Sequence, residues 1–173
     1  CTSFYDWNGI NDNVSFGGNG AFYNPDTPLT PGVNCTYIDA GAGNDSIQLT
    51  GTTGVFDVVT GYGRDVVRVK DADYVRIENY DSGDASDNFE FNADFSGKAE
   101  IFSFDSNDLF GLNYLSTVSK LGDWHSTYSS ATGDTIFHNA VTGGKIAFRG
   151  AKVTDFDTYT VQPNGANGFM ICI

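Results

Sequence analysis

The chain has 173 residues and a formal net charge of −13, with 21 glycines, 4 prolines and 3 cysteines. That length can bury one sizeable core, and an isoelectric point near 4.1 argues against nucleic acid or an anionic membrane surface as partner. No apolar run approaches the roughly eighteen residues of a membrane-spanning helix, and the many Gly, Asn, Thr and Asp residues point to short strands joined by tight turns.

Residues 1–38 carry aromatic-rich segments, Phe4, Tyr5 and Trp7, then Phe16, Phe22 and Tyr23, separated by Asn and Gly. A proline-rich loop follows, from Asn24-Pro25 through Pro28 and Pro31 to Gly32. This part reads as an N-terminal β cap, because an open stack of strands needs its exposed end covered. The aromatics read as core packing.

Residues 39–92 form the repeat region. Ala40-Gly41-Ala42-Gly43-Asn44-Asp45-Ser46-Ile47-Gln48 and Thr60-Gly61-Tyr62-Gly63-Arg64-Asp65-Val66-Val67-Arg68 both approach the nonapeptide G-G-x-G-x-D-x-U-x. Calcium takes six to eight oxygens at roughly 2.3–2.6 Å, so a turn built around it must bring carbonyls and a carboxylate to one point. Glycine lets the backbone adopt left-handed angles and come close without a Cβ in the way. Gly41, Gly43 and Asp45 meet that need in the first turn, Gly61, Gly63 and Asp65 in the second. Ile47 and Val67, two residues after each aspartate, fall on the inward face of the following strand. The two aspartates lie twenty residues apart, so the turns are expected to stack on one side of a roll and share an ion. Weaker copies at Asp12, Asp57, Asp73 and Asp87 keep the aspartate and an apolar residue after it, and Asp57 joins the expected ligand set. Ordinary Gly- and Asp-rich turns are the competing reading; two copies on so acidic a chain favour calcium. Strands are expected at 46–50, 55–60, 66–70, 74–78 and 89–91. The acidic run from Asp81 to Asp87 reads equally as a cation site or a solvated loop.

Residues 93–173 change character. Alternation at Ala99–Phe104, Thr135–His138 and Lys145–Arg149 marks strands, the last two joined as a hairpin. Leu112–Leu121 is the best, though weak, helix candidate. The apolar ending, Gly168 to Ile173, reads as a buried strand.

Cys1, Cys35 and Cys172 show no C-x-x-C spacing, which points to a structural disulfide in an oxidising compartment, Cys35 with Cys172 being slightly favoured. The pairing is not determined by the sequence. The start at Cys1 without Met suggests a removed leader, and Cys1-Thr2-Ser3 also matches the start of a lipid-anchored bacterial protein.

With these residues in view, the chain resembles the RTX (repeats-in-toxin) family over roughly residues 39–160. Beyond the nonapeptides, Phe102-Ser103-Phe104-Asp105 leading to Asp108-Leu109-Phe110-Gly111-Leu112 is similar to the family's post-repeat segment, and Gly133–Phe137 with Gly144–Ala151 to its closing hairpin. The resemblance implies a parallel β-roll with calcium between stacked turns, disorder without calcium, and export to calcium-rich surroundings. The first glycine of each repeat is replaced, by Ala40 and Thr60, and there are two good repeats rather than a long array.

The expected fold is therefore all-β, a short parallel β-roll or β-helix with flanking antiparallel strands. Nothing marks an enzyme: there is no G-x-S-x-G and no H-E-x-x-H, and His125 and His138 read as surface residues. The expected function is a calcium-dependent extracellular structural or adhesion subunit, in a surface layer, matrix or filament, that self-associates. The alternative is a calcium-stabilised carbohydrate-binding or glycan-processing domain, with Trp7, Trp124 or Tyr128 stacking on the sugar.

Overall fold

A computed structural model describes residues 2–5, 13–16, 35–80, 85–112, 123–153, 160–161 and 169–172. Strands and the turns between them make up the described residues, and no α-helix occurs among them. The strands are β1 (Thr2–Tyr5), β2 (Asn13–Phe16), β3 (Thr36–Asp39), β4 (Ser46–Leu49), β5 (Val55–Val59), β6 (Val66–Val69), β7 (Tyr74–Glu78), β8 (Asn88–Phe91), β9 (Lys98–Phe102) and β10 (Leu109–Gly111). After these come β11 (Trp124–Ser129), β12 (Asp134–Asn139), β13 (Lys145–Arg149), β14 (Thr160–Val161) and β15 (Phe169–Cys172).

From β1 to β10 the chain changes sheet at every strand, and each strand lies parallel to the one two before it, as in Ile47↔Val67↔Phe89↔Phe110 and Ile38↔Val58↔Ile77↔Ile101. This is a β-solenoid. One sheet runs β1-β3-β5-β7-β9-β13-β12-β11, the other β14-β15-β10-β8-β6-β4-β2. The parallel stack is longer than the 39–92 segment: β1 and β2 join it in register with β3 and β4, and β9 and β10 extend it toward the C-terminus.

The reason for two sheets lies in the alternation of side chains along a strand. Ile47, Val67, Phe89 and Phe110 from one sheet meet Phe56, Val58, Val75, Ile77 and Ile101 from the other, all fully buried. Toward the C-terminal end the core becomes aromatic. Phe110 and Phe148 lie 4.9 Å apart edge-on, Phe104 and Phe148 4.7 Å, and Phe110 and Phe137 5.3 Å. Such pairs contribute about 0.5–1.5 kcal/mol each beyond their burial.

The closing hairpin, expected from Gly143-Gly144, is β12–β13, with His138 opposite Lys145 and Ile136 opposite Ala147. β13 continues the first sheet parallel to β9. The hairpin and the adjoining β11 are tied to the turn before β9 by three donors: Trp124 Nε1 of β11 and Asn139 Nδ2 both reach the Ala93 carbonyl, at 2.8 and 3.1 Å, and the Thr142 hydroxyl reaches the Phe95 carbonyl at 2.8 Å. The expected C-terminal strand is β15, which lies between β10 and β14 and so is not an edge. The helix candidate at 112–121 falls, apart from Leu112, outside the described residues.

The rungs approach so closely at the turns that several positions admit only glycine, Gly61 and Gly63 among them. A Cβ on Gly61 would stand 1.6 Å from the Gly41 carbonyl oxygen, and one on Gly63 1.7 Å from that of Gly43. Both residues also hold positive φ, 93° and 134°. Gly143 in the hairpin has φ 80°, but a methyl added there would meet nothing within 4 Å. Gly143→Ala should therefore cost about 1–2 kcal/mol, the strain of a left-handed residue, whereas Gly61→Ala should cost clearly more because a rung must also move. Chemical denaturation of the two variants checks this, and equal losses would mean that rung spacing does not constrain the turn.

Candidate metal-binding turns

The turns expected to bind calcium lie on one edge of the solenoid, where the chain passes from the first sheet to the second. Gly41 and Gly61 are stacked, Gly43 and Gly63 likewise, and Ala42 pairs with Tyr62 as a parallel bridge. The Tyr62 N–H donates to the Gly41 carbonyl at 2.9 Å, and the Gly43 N–H donates to the Tyr62 carbonyl at 2.8 Å. Asn44 closes the outer side, its Oδ1 accepting the Arg64 N–H at 2.9 Å. The glycines thus do what their placement in the sequence requires, with the carbonyl of the next rung as the close neighbour.

The aspartates that follow the glycines form a column. The Asp45 N–H donates to Asp65 Oδ1 at 2.8 Å, the Asp65 N–H to Asp87 Oδ1 at 2.6 Å, and the Asp87 N–H to Asp108 Oδ1 at 3.0 Å. All four residues are buried, at most 2 % exposed. Asp108 ends the described column and accepts two further donors on Oδ2, the Asp105 N–H at 3.0 Å and Asn79 Nδ2 at 3.3 Å. The carboxylates of Asp65, Asp87 and Asp108 thus each tie their own rung to the one before it.

Asp45 and Asp65 stack as their spacing anticipates, and Ile47 and Val67 after them point into the core with no exposure. Asp57 does not join them. It lies in the middle of β5 on the face turned away from the core, where Arg76 Nη1 meets its Oδ1 at 3.0 Å. Its copy of the motif is out of phase: Val58, one residue on, faces inward with Phe56, so Asp57 itself faces outward. Asp87 is legible in the sequence as a weaker copy, although Asp81–Asp84 lie outside the described residues. Asp108 is a member of the column that the nonapeptide pattern does not reach, yet its signal is present: Asp108-Leu109-Phe110 repeats the aspartate two residues before an inward apolar side chain, 21 residues after Asp87.

As a calcium site the edge fits in donor type, being built from carboxylate and carbonyl oxygens, but not as a ready cage. Among the described residues no three or more His, Cys, Asp or Glu side chains gather closely enough to hold one ion. The carboxylates stand one per rung, in a line. An ion there would draw most of its six to eight oxygens from carbonyls and water.

Compared with known proteins, the chain matches no family model, no curated protein and no solved structure.

Aromatic and cysteine residues singled out by the sequence lie away from this edge. Trp124 is buried, its indole committed to Ala93, and so offers no stacking surface; Tyr128 is exposed beside Lys152, whose Nζ lies 5.3 Å from the ring centre. Trp7 and Cys1 lie outside the described residues. Cys35 is buried beside Val55 and Tyr74 at the start of β3. Cys172 lies in β15, in the other sheet and four strand spacings further along the stack from β4, which follows β3. At about 4.8 Å per spacing that is about 19 Å, well beyond the roughly 4.4–6.8 Å between Cα atoms that a disulfide spans. The solenoid separates these two cysteines because it stacks sequence-distant segments at opposite ends.

Burial pushes the Asp108 carboxyl up from its ordinary 3.8 to about 6, the charges of Asp87 and Asp105 adding to the rise and the N–H donors of Asp105 and Asp87 opposing it. The folded chain thus holds this proton more tightly than the unfolded chain does. Its contribution to stability is complete below about pH 3.8 and is lost as the pH rises through about 6. Melting curves should show the wild type losing stability relative to Asp108→Asn between about pH 4 and pH 7; parallel curves would mean that Asp108 ionises as it does in water.

Proposed function

We propose that the chain is a calcium-responsive β-solenoid module of an extracellular structural or adhesive protein, of RTX type, whose acidic turn edge takes up the cation. The observation that carries this reading is the buried column of Asp45, Asp65, Asp87 and Asp108. Carboxylates one rung apart, about 4.8 Å, repel by about 3.5 kcal/mol per ionised pair at an effective dielectric constant of about 20. Backbone N–H dipoles offset only part of that. A divalent cation at the edge offsets the rest, and the net charge of −13 favours its arrival.

The rest of the molecule supports a structural role. The space between the sheets is filled by aliphatic and phenyl groups, and the carboxylates of the outer face are engaged by cations: Arg76 with Asp57 and Glu78, Arg149 with Asp134 and Glu100. Among the described residues the first sheet ends in β1 and β11, and an end strand is where a solenoid can join a further copy of itself.

A glycan-binding role has one observation of its own. Tyr62 and Tyr80, 64 % and 58 % exposed, stand on successive turns of the glycine-rich edge, where aromatic rings can stack on a sugar face.

Calcium titration of the chelator-treated chain tests the main reading. Bound heat and a higher melting temperature are expected, and Asp65→Asn should weaken binding about tenfold while Asp123→Ala leaves it unchanged. Identical melting in calcium and in chelator, with no heat, would reduce the edge to hydrogen-bonded bends. Retention of the monomer on a glycan array, lost in Tyr62→Ala, would favour the second role.

A further inference from the structure

The chain has only two histidines, and the fold sets them directly opposite one another. His125 on β11 is the register partner of His138 on β12 in an antiparallel pair. Both are exposed. They share a face: Trp124 and Asn139, the next pair along, turn inward to the Ala93 carbonyl, so the alternation of strand side chains sends His125 and His138 outward together. The positions are 13 residues apart in sequence, and only the hairpin pairing brings them together.

We propose that His125 and His138 form a two-imidazole site for a late first-row divalent cation, zinc or copper, on the solvent face of the closing hairpin. Directly opposed strand residues hold their Cβ atoms about 4.5–5.5 Å apart, which lets two imidazoles converge on one ion at about 2.0–2.1 Å from each nitrogen. With two protein ligands the ion keeps water in its other positions. Imidazole is a ligand for zinc, copper and nickel and calcium prefers oxygen, so this site is independent of the aspartate column and stands or falls separately.

The neighbours set its strength. Lys145 on β13 is the register partner of His138 on the side away from His125, and Lys98 on β9 is the register partner of Lys145. Lys98 has its pKa lowered, chiefly by burial and then by the charges of Arg149 and Lys145. The site thus lies at the end of a row of cations, which weakens a dication held there. Lys145→Gln should tighten it.

Zinc titration of the full chain in excess calcium is the test. The expected result is one zinc per chain, with affinity lowered at least about tenfold in His125→Gln and equally in His138→Gln, and no further loss in the double variant, since removing either ligand destroys the chelate. As a second readout, substoichiometric copper should broaden both histidine ring signals in the proton NMR spectrum together. No zinc binding, a loss confined to one variant, or broadening of one ring alone would overturn the proposal. Calcium binding is read in a separate titration, so either site can fail without the other.

Discussion

The distance between adjacent rungs is the constraint on which the structure depends. Parallel strands about 4.8 Å apart leave no room at the turns for a side chain that points along the stack, and the chain answers with glycine where the Gly41 and Gly43 carbonyls press on the next turn. The same spacing lets the carboxylate of Asp65, Asp87 or Asp108 accept the N–H of the aspartate one rung earlier. Turn and column are two results of a single repeat length.

Burying one carboxylate per rung has an electrostatic cost that grows with the number of rungs. The solenoid meets part of it with N–H donors, and raises the affinity of Asp108 for a proton where the column ends. On the outer face of the first sheet the opposite solution appears. Asp57 and Glu78 share Arg76, whose guanidinium also lies 4.8 Å over the Phe102 ring, and Glu100 and Asp134 share Arg149. The proposed uptake of a cation at the turn edge rests on this contrast between the two faces, one neutralised by arginine and the other lined by backbone donors.

At the other end of the stack the problem is exposure. A parallel rung left uncovered presents an apolar face and unpaired strand groups. The β11–β12–β13 hairpin system supplies the cover, taking the next place in the first sheet with β13 and packing Phe137 and Phe148 onto Phe110. Trp124, Asn139 and Thr142 fasten it to the turn at Ala93–Phe95.

Local pattern was enough to read β4 to β8, the inward positions Ile47 and Val67, the glycine turns and the hairpin, because each depends on residues close in sequence and on the two-residue period of a strand. The twenty-residue spacing of the turns gave their stacking; β3, β10 and β11 were not expected as strands. Phase and pairing were decided only by the tertiary structure. Asp57 shares with Asp65 an aspartate two residues before an apolar side chain, yet faces away from the core because β5 is set by its inward neighbours Phe56 and Val58. Asp108 belongs to the column, Cys35 is held far from Cys172, and His125 meets His138, for one physical reason: stacking and strand pairing choose neighbours by register, which no single stretch of sequence carries.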